Sequence, residues 1–350
     1  MNRQPILSFI VPVYNAATYL PSCIKAIAAQ TRSDFEAIFT DDGSTDESPR
    51  ILDEAARNDP RITVIRQPNG GVSTARNAGI AAARGKYLAF VDADDLIKAT
   101  FAEQMLDAGE TTGADLVLCG FERFRKDFQQ FCSPTREPVQ VLETLNELLT
   151  LYTEARTNLL GVAVWGKLYR ADIVKEHVIR FDPTISYEED CCFNTAYFRH
   201  VKRTALVGAC LYRYRLQEES LSKGYRKDTF RFLVNGLHRR KTLLEASGMG
   251  DQLRKLDAIF VLVIKNTGFK IVRANLSRAE KLQEFGALMQ FPVVQRIAES
   301  FKETKNRKHR RMLRAIRTKK PENLYRVMRM QSAADRLAAQ RNRIFKRNGQ

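Results

Sequence analysis

The chain reads as an α/β protein, a doubly wound and mostly parallel sheet with flanking helices, followed by a helical C-terminal extension. Three observations predict this. Short apolar runs alternate with amphipathic helical stretches through residues 6–91. Two of those runs end on acidic clusters, Asp41-Asp42-Gly43-Ser44-Thr45-Asp46 and Asp92-Ala93-Asp94-Asp95. Beyond Tyr225 the periodicity is helical, as in Leu256, Ile259, Phe260 and Val263. Strand and helix in strict alternation is the mark of parallel sheets covered on both faces.

Taken in order, residues 6–13 are an apolar strand, and Thr18–Gln30 a helix with Leu20, Ile24 and Ile27 on one face. Phe35–Thr40 is the second strand. Ser44 and Glu47 have capping-box spacing, which predicts a helix carrying Ile51, Leu52 and Ala55. Ile62–Ile65 is the third strand, closed by the turn Pro68-Asn69-Gly70-Gly71. A small-residue helix follows from about Ser73 to Ala83, with Gly85 as its C-terminal stop. Tyr87–Val91 is the fourth strand. Right-handed crossovers bring all these strand ends to one edge, so Asp41, Asp42, Asp92, Asp94 and Asp95 are expected in one crevice. Past Leu106 the alternation weakens. Asp115–Cys119 and Phe121–Phe131 read as strands and Val141–Tyr152 as a helix. Val162–Tyr169, Glu188–Arg199 and Ala205–Tyr214 complete the domain. The expected divisions are 1–220, a helical region 221–300, and a tail 301–350.

Composition narrows the function. At 350 residues and 44% hydrophobic content the chain can bury a full core. The six cysteines show no CxxC spacing and the four histidines no metal pattern, so neither a disulfide framework nor a zinc site is expected. That favours a reducing cytoplasm. Met1–Pro5 runs straight into a strand without a signal-peptide core, and no apolar stretch reaches the ~20 residues of a membrane span. Residues 301–350 hold 17 Lys and Arg against three acids, a net +14 of the total +17. The rest is nearly neutral, and the tail is a basic module.

An Asp-x-Asp after a buried strand suits a hard divalent cation bound through oxygen and bridging to phosphates. Taken alone it reads equally as a polar loop with Asp95 capping a helix. With Val11-Pro12-Val13-Tyr14-Asn15 before them, the two acidic clusters resemble the family 2 glycosyltransferases, nucleotide-sugar enzymes of the GT-A fold. The resemblance covers about residues 5–215. It implies that Asp92, Asp94 and Asp95 hold Mn²⁺ or Mg²⁺ on the donor diphosphate, with Ala93 beside the nucleotide. Asp42, and less directly Asp41, would read the nucleotide base over a floor built by Pro12 and Tyr14. Arg76, in Gly70-Gly71-Val72-Ser73-Thr74-Ala75-Arg76, would lie beside the donor and support the acidic cluster, or belong to a helix packed closely on the sheet. Tyr187-Glu188-Glu189-Asp190 resembles the family's Glu-Asp motif, making Asp190 the catalytic base, with Glu189 as the substitute one position earlier. Acids in a helix's first turn also satisfy the macrodipole by themselves. Val164-Trp165-Gly166-Lys167 resembles a segment bordering the acceptor pocket, where Gly166 replaces a common asparagine. Trp165 would stack on a sugar or sit in the core.

The implied reaction is inverting transfer of a sugar from a nucleotide-diphosphate donor, by family frequency a UDP-sugar. The hydroxyl acceptor is a glycan or lipid-linked glycan, as in surface polysaccharide synthesis. Two alternatives stay open: a sugar nucleotidyltransferase, and a non-catalytic basic scaffold acting through 301–350. In the tail, Leu324, Val327, Met328, Ala334, Leu337, Ala338, Ile344 and Phe345 form one apolar helical face among arginines and lysines. That pattern fits an anionic membrane surface, placing the enzyme on the inner face of the cell membrane. It also fits a helix packed on the protein. Nothing in it resembles a nucleic-acid-reading motif.

Overall fold

The computed structural model describes residues 4–125, 127–153, 158–185, 188–216, 229–246, 248, 250–301 and 306–347. The expected boundary at 220, and Tyr187 of the Glu-Asp motif, lie outside the described residues. So do the side chains of Leu337, Ala338, Ile344 and Phe345. The chain divides into two compact units: Met1–Glu218 with His238–Gln252, and Glu219–Leu237 with Leu253–Gln350.

The first unit is built as β1 (Leu7–Val13), α1 (Leu20–Ala28), β2 (Phe35–Asp41), α2 (Ser48–Asn58), β3 (Ile62–Arg66), α3 (Val72–Ala82) and β4 (Tyr87–Phe90). Then come β5 (Leu96–Ile97), α4 (Phe101–Thr112), β6 (Leu116–Arg125), β7 (Phe128–Cys132), β8 (Val139–Leu142), α5 (Leu145–Thr153) and α6 (Asn158–Val162). It closes with β9 (Lys167–Arg170), α7 (Ala171–Glu176), α8 (Glu189–Phe198) and β10 (Thr204–Arg215). The strands join one mostly parallel sheet in the order β3-β2-β1-β4-β9-β6-β10-β5, with β7 added to β6 and β8 to β10. β3, β2, β1 and β4 are mutually parallel, as are β6 and β10, and β9 runs antiparallel between the two groups. In register Val13 lies beside Asp41 and Ile10 beside Phe90. The exits of β1, β2 and β4 therefore share one edge, where the acidic clusters begin.

Three local expectations change, each because a tertiary contact outcompetes a local one. Ser44 does not cap α2, which starts at Ser48; its Oγ instead accepts from the Asn15 N–H at 3.0 Å. Gly85 is not the C-cap of α3. A Cβ there would lie 2.7 Å from the Ser8 nitrogen, so this glycine allows the chain to pass against β1. Val141–Tyr152 is not one helix. Val139–Leu142 pairs antiparallel with β10, and α5 begins after Thr144, whose N–H and hydroxyl both reach Glu147.

An aromatic cluster fixes the site from behind. Phe90, at the end of β4, packs edge-on against Phe181, Phe193 and Tyr169 at 5.3–5.5 Å. Phe193 lies three residues after Asp190, so the cluster pins the first turn of α8 behind the exit of β4. All four rings are at most 1% exposed. Burial on this scale stabilises by about 2–3 kcal/mol per ring.

The second unit is helical, built on part of α9 (Thr229–Ala246), most of α10 (Gly250–Arg273), and α11 (Arg278–Gln290), α12 (Pro292–Ser300), α13 (Arg307–Arg317) and α14 (Pro321–Arg347). A full capping box, Ser277 with Glu280, starts α11. Asn306 caps α13 by accepting from Lys308 and His309. Met312, Leu313 and Ile316 of α13, and Leu324 and Met328 of α14, are at most 1% exposed. The apolar face expected from the tail sequence is thus spent on packing as far as Met328. Gly268 of α10 admits Met328 so closely that a Cβ would lie 2.6 Å from its methyl carbon.

Candidate active site

At the exits of β1 and β2 two loops are sewn together. Beyond the Ser44–Asn15 bond, Ser48 Oγ accepts from Ala16 N–H, Asp46 from Ala17 N–H, and Asn15 Oδ1 from Thr45 N–H. Asn15 takes a left-handed φ of 48°, which asparagine tolerates. Pro12 is half-buried beside Thr40, and Tyr14 stands 53% exposed above it, a ring with no packing duty. Asp41 and Asp42 are both buried but differ in what they hold. Asp42 accepts three bonds, from Gln67 Nε2 (2.7 Å), Gly70 N–H (2.9 Å) and Gly71 N–H (2.8 Å). It fastens the Pro68–Gly71 turn to β2. Asp41 accepts only the Ser44 N–H, at 3.0 Å, through one oxygen among the described residues. Both carboxylates keep acceptor capacity at this edge, Asp41 through Oδ2 and Asp42 through the second lone pair of its Oδ2.

After β4 the acidic cluster spreads over different environments. Asp92 and Asp94 are half-buried, Ala93 is buried, and Asp95 is 1% exposed. Asp95 Oδ2 accepts from the Tyr212 hydroxyl and Oδ1 from the Arg215 N–H, each at 2.7 Å. The same Tyr212 oxygen accepts from Asp92 N–H at 3.2 Å, and Arg215 Nε donates to the Asp94 carbonyl at 2.7 Å. β10 thereby holds the whole loop. Burial, then the charges of Asp94 and Asp92, push the Asp95 carboxyl well above its ordinary range. Among the described residues no three His, Cys, Asp or Glu side chains form a closed cation cage.

Arg76 joins this loop to α8. It is 3% exposed on α3; its Nη2 donates to Asp92 Oδ1 at 2.9 Å and its Nη1 to Asp190 Oδ1 at 2.6 Å, with Glu189 Oε1 at 3.5 Å. One guanidinium therefore faces three carboxylates, and its Nε has no acceptor among the described residues. A residue so enclosed ties these carboxylates together. Burial raises the Asp190 carboxyl despite Arg76, and pushes Glu189 up to about 7, helped by the Asp190 charge.

A polar network behind Asp190 went unread in the sequence. Val164 N–H donates to Asp190 Oδ2 at 3.2 Å. The stretch before it is clamped by Asn194, which donates to the carbonyls of Gly161 (3.1 Å), Val162 (2.7 Å) and Ala163 (3.0 Å). Asn194 in turn accepts from the Tyr169 hydroxyl at 2.7 Å. Buried Lys167 also donates to the Ala163 carbonyl, and burial pulls its ammonium down to about 7, against the attraction of Asp190. The spacing of Asp190 and Asn194, one helical turn apart, was the signal available. Trp165 is core, 4% exposed and stacked on Tyr212 at 4.6 Å and Tyr214 at 5.5 Å. Gly166 beside it has φ +67°, a left-handed turn that glycine or asparagine can make. No disulfide joins any of the six cysteines.

The family profile of Glycosyl transferase family 2 matches residues 8–178. The chain is 32% identical over 300 residues to the "Putative glycosyltransferase EpsH" of Bacillus subtilis (strain 168), covering 84% of this chain and 86% of that one. It is 37% identical over 219 residues to the "Uncharacterized glycosyltransferase EpsJ" of the same organism, covering 63% of each. The match thus spans less than two thirds of EpsJ. A glycosyltransferase carrying carboxylates at the strand exits is the class these observations define. The chain belongs to glycosyl transferase family 2. Among solved structures it resembles Staphylococcus aureus TarS 1–349 in complex with UDP-GlcNAc (TM-score 0.67, 22% identity, 92% of this chain and 90% of that). It also resembles the mannosyltransferase PcManGT from Pyrobaculum calidifontis in complex with GDP-Man and Mn²⁺ (TM-score 0.54, 14% identity, 96% and 88%). At these identities the likeness establishes the GT-A fold. Family membership leaves the nucleotidyltransferase and non-catalytic scaffold readings without support.

Proposed function

We propose that this enzyme transfers a sugar, with inversion, from a nucleotide-diphosphate donor to a hydroxyl of a glycan or lipid-linked glycan acceptor, as in surface polysaccharide synthesis. The observation that carries the reading is the Arg76 bridge. It couples the strand-end Asp92 to Asp190, 98 residues later in the chain. The carboxylate cluster expected at the leaving group and the carboxylate expected at the acceptor thus belong to one unit.

Asp92 and Asp94 would hold a divalent cation, Mn²⁺ or Mg²⁺. Asp95, with both oxygens engaged, shapes the loop instead. The fit rests on two half-buried carboxylates two residues apart at one strand end, and on the chemistry of such ions, which take one or two carboxylates plus substrate phosphates. Bound there, the ion would neutralise charge on the departing diphosphate. The remaining work falls to the chain itself. Asp42, and less directly Asp41, accepts a hydrogen bond from the base, and Tyr14 lies over the ring. Asp190 accepts the acceptor hydroxyl's proton as its oxygen attacks the anomeric carbon from the face opposite the diphosphate. Arg76 and Val164 N–H hold that carboxylate in place. UDP is the favoured nucleotide, and the UDP-GlcNAc complex of TarS supports that choice.

Calorimetric titration of UDP with and without Mn²⁺, into the wild type and Asp94→Ala, tests the site. Manganese-dependent binding that the substitution removes is expected. Absence of binding by UDP, dTDP and GDP alike would end the nucleotide-sugar reading.

A further inference from the structure

The second unit carries a strongly charged face that sugar transfer does not use. In α13, six of 11 residues are Lys or Arg and none is acidic. Arg307, Arg310, Arg311 and Arg314 are all exposed, and their spacing of i, i+3, i+4 and i+7 places them on one stripe. Met312, Leu313 and Ile316 on the other side are at most 1% exposed, locked against the neighbouring helices. The turn after α13 adds exposed Lys319 and Lys320. The expectation from sequence was an amphipathic helix sinking its apolar face into a membrane. Of that face Leu324 and Met328 are already buried within the unit, so inserting them would require unpacking its core.

We infer that the arginine stripe of α13 docks the second unit onto anionic lipid headgroups by charge alone, without insertion. A helix this long spans about 16 Å, and the four guanidinium groups lie along less than that, all on one side. Each can meet a phosphate or carboxylate of an anionic leaflet within a Debye length. A lipid surface is favoured over nucleic acid for two reasons. The outer face of a helix is convex and offers no groove to track a strand. Among the described residues no exposed aromatic ring accompanies the stripe for bases to stack on, since Tyr325 of α14 is half-buried against Phe285. The inference is independent of which sugar the first unit transfers, because vesicle binding is read without turnover.

The test is co-sedimentation of the full chain with phosphatidylcholine vesicles, with or without phosphatidylserine. Binding is expected only with phosphatidylserine, and is lost in about 0.5 M salt. At about fivefold per arginine, Arg310→Gln with Arg314→Gln lowers affinity about thirtyfold, and substitution of all four by two orders of magnitude or more. These positions are exposed, and an unchanged circular dichroism melt establishes that each variant is folded. Should the fourfold variant misfold, the double variant alone decides. Full binding by a folded variant, or equal binding to pure phosphatidylcholine, overturns the proposal. Tighter binding to duplex DNA than to anionic vesicles at equal phosphate overturns it in favour of a nucleic-acid surface.

Discussion

Helix α3 connects two arginine–carboxylate clusters, and their difference separates architecture from chemistry. At its far end Arg84 meets Glu36 on β2. That carboxylate accepts from Ser8 Oγ, Arg84 N–H, Arg84 Nε and Arg84 Nη2 at 2.7–2.9 Å. One carboxylate meets one guanidinium, and every oxygen is used. Arg76, two turns earlier, meets Asp92, Asp190 and Glu189 together, with its Nε idle. There the negative charge exceeds the positive, and the carboxyls of Glu189 and Asp190 are raised. The Glu36 cluster is a finished joint at the amino-terminal edge of the sheet. The Arg76 cluster stays unbalanced at the carboxyl-terminal edge, where open α/β sheets bind ligands. A buried ion pair says little about function until its charges are counted.

The sharpest test of this contrast is Asp190→Asn. Loss of the base is expected to lower turnover of the donor sugar by about 10³-fold while nucleotide affinity and melting temperature hold. Turnover near the wild-type rate would move the base to Glu189. Next in size, Glu36→Ala strands the buried Ser8 hydroxyl and frees the exposed Arg84 side chain, and should cost about 2 kcal/mol in urea unfolding. Nucleotide binding by the remaining folded protein should match the wild type. A weakened nucleotide site would show that the two ends of α3 are not separable.

The smallest effect concerns pH. Glu189 titrates near 7 in the fold against 4.5 in the unfolded chain, so the native state retains its proton longer. Its contribution is full below the unfolded value and fades as pH rises through the folded one. Glu189→Gln should therefore stabilise the protein by about 1–3 kcal/mol above pH 7 and leave it unchanged below about pH 4. Parallel stability–pH curves for variant and wild type would show that the cluster is balanced after all.

Alternation of apolar runs and amphipathic stretches was enough to assign the strands and helices of residues 6–91, because burial on both faces forces a readable period. The strand-end position of Asp41, Asp92 and Asp94 followed from the same topology. What local reading missed were choices between partners. Ser44 and Gly85 have the right residue types for helix caps, yet each serves a neighbouring strand or loop that is distant in sequence. Asp41 and Asp42 are identical side chains in adjacent positions, and only the approach of the Pro68–Gly71 turn decides which one fastens it.

By itself, then, the sequence determined the parallel sheet, the edge where its acids gather, and the excess charge of the tail, all of them properties of pattern and composition. The tertiary structure decided the rest. It made Arg76 a bridge, Trp165 a core ring, and Asn194 and Lys167 a clamp behind Asp190. It also turned Leu324 and Met328 of the tail inward and the arginine stripe of α13 out. The physical reason is common to all of these. A hydrogen-bonding group or apolar face takes whichever partner the fold brings within about 3–4 Å, and that partner is usually far away along the chain.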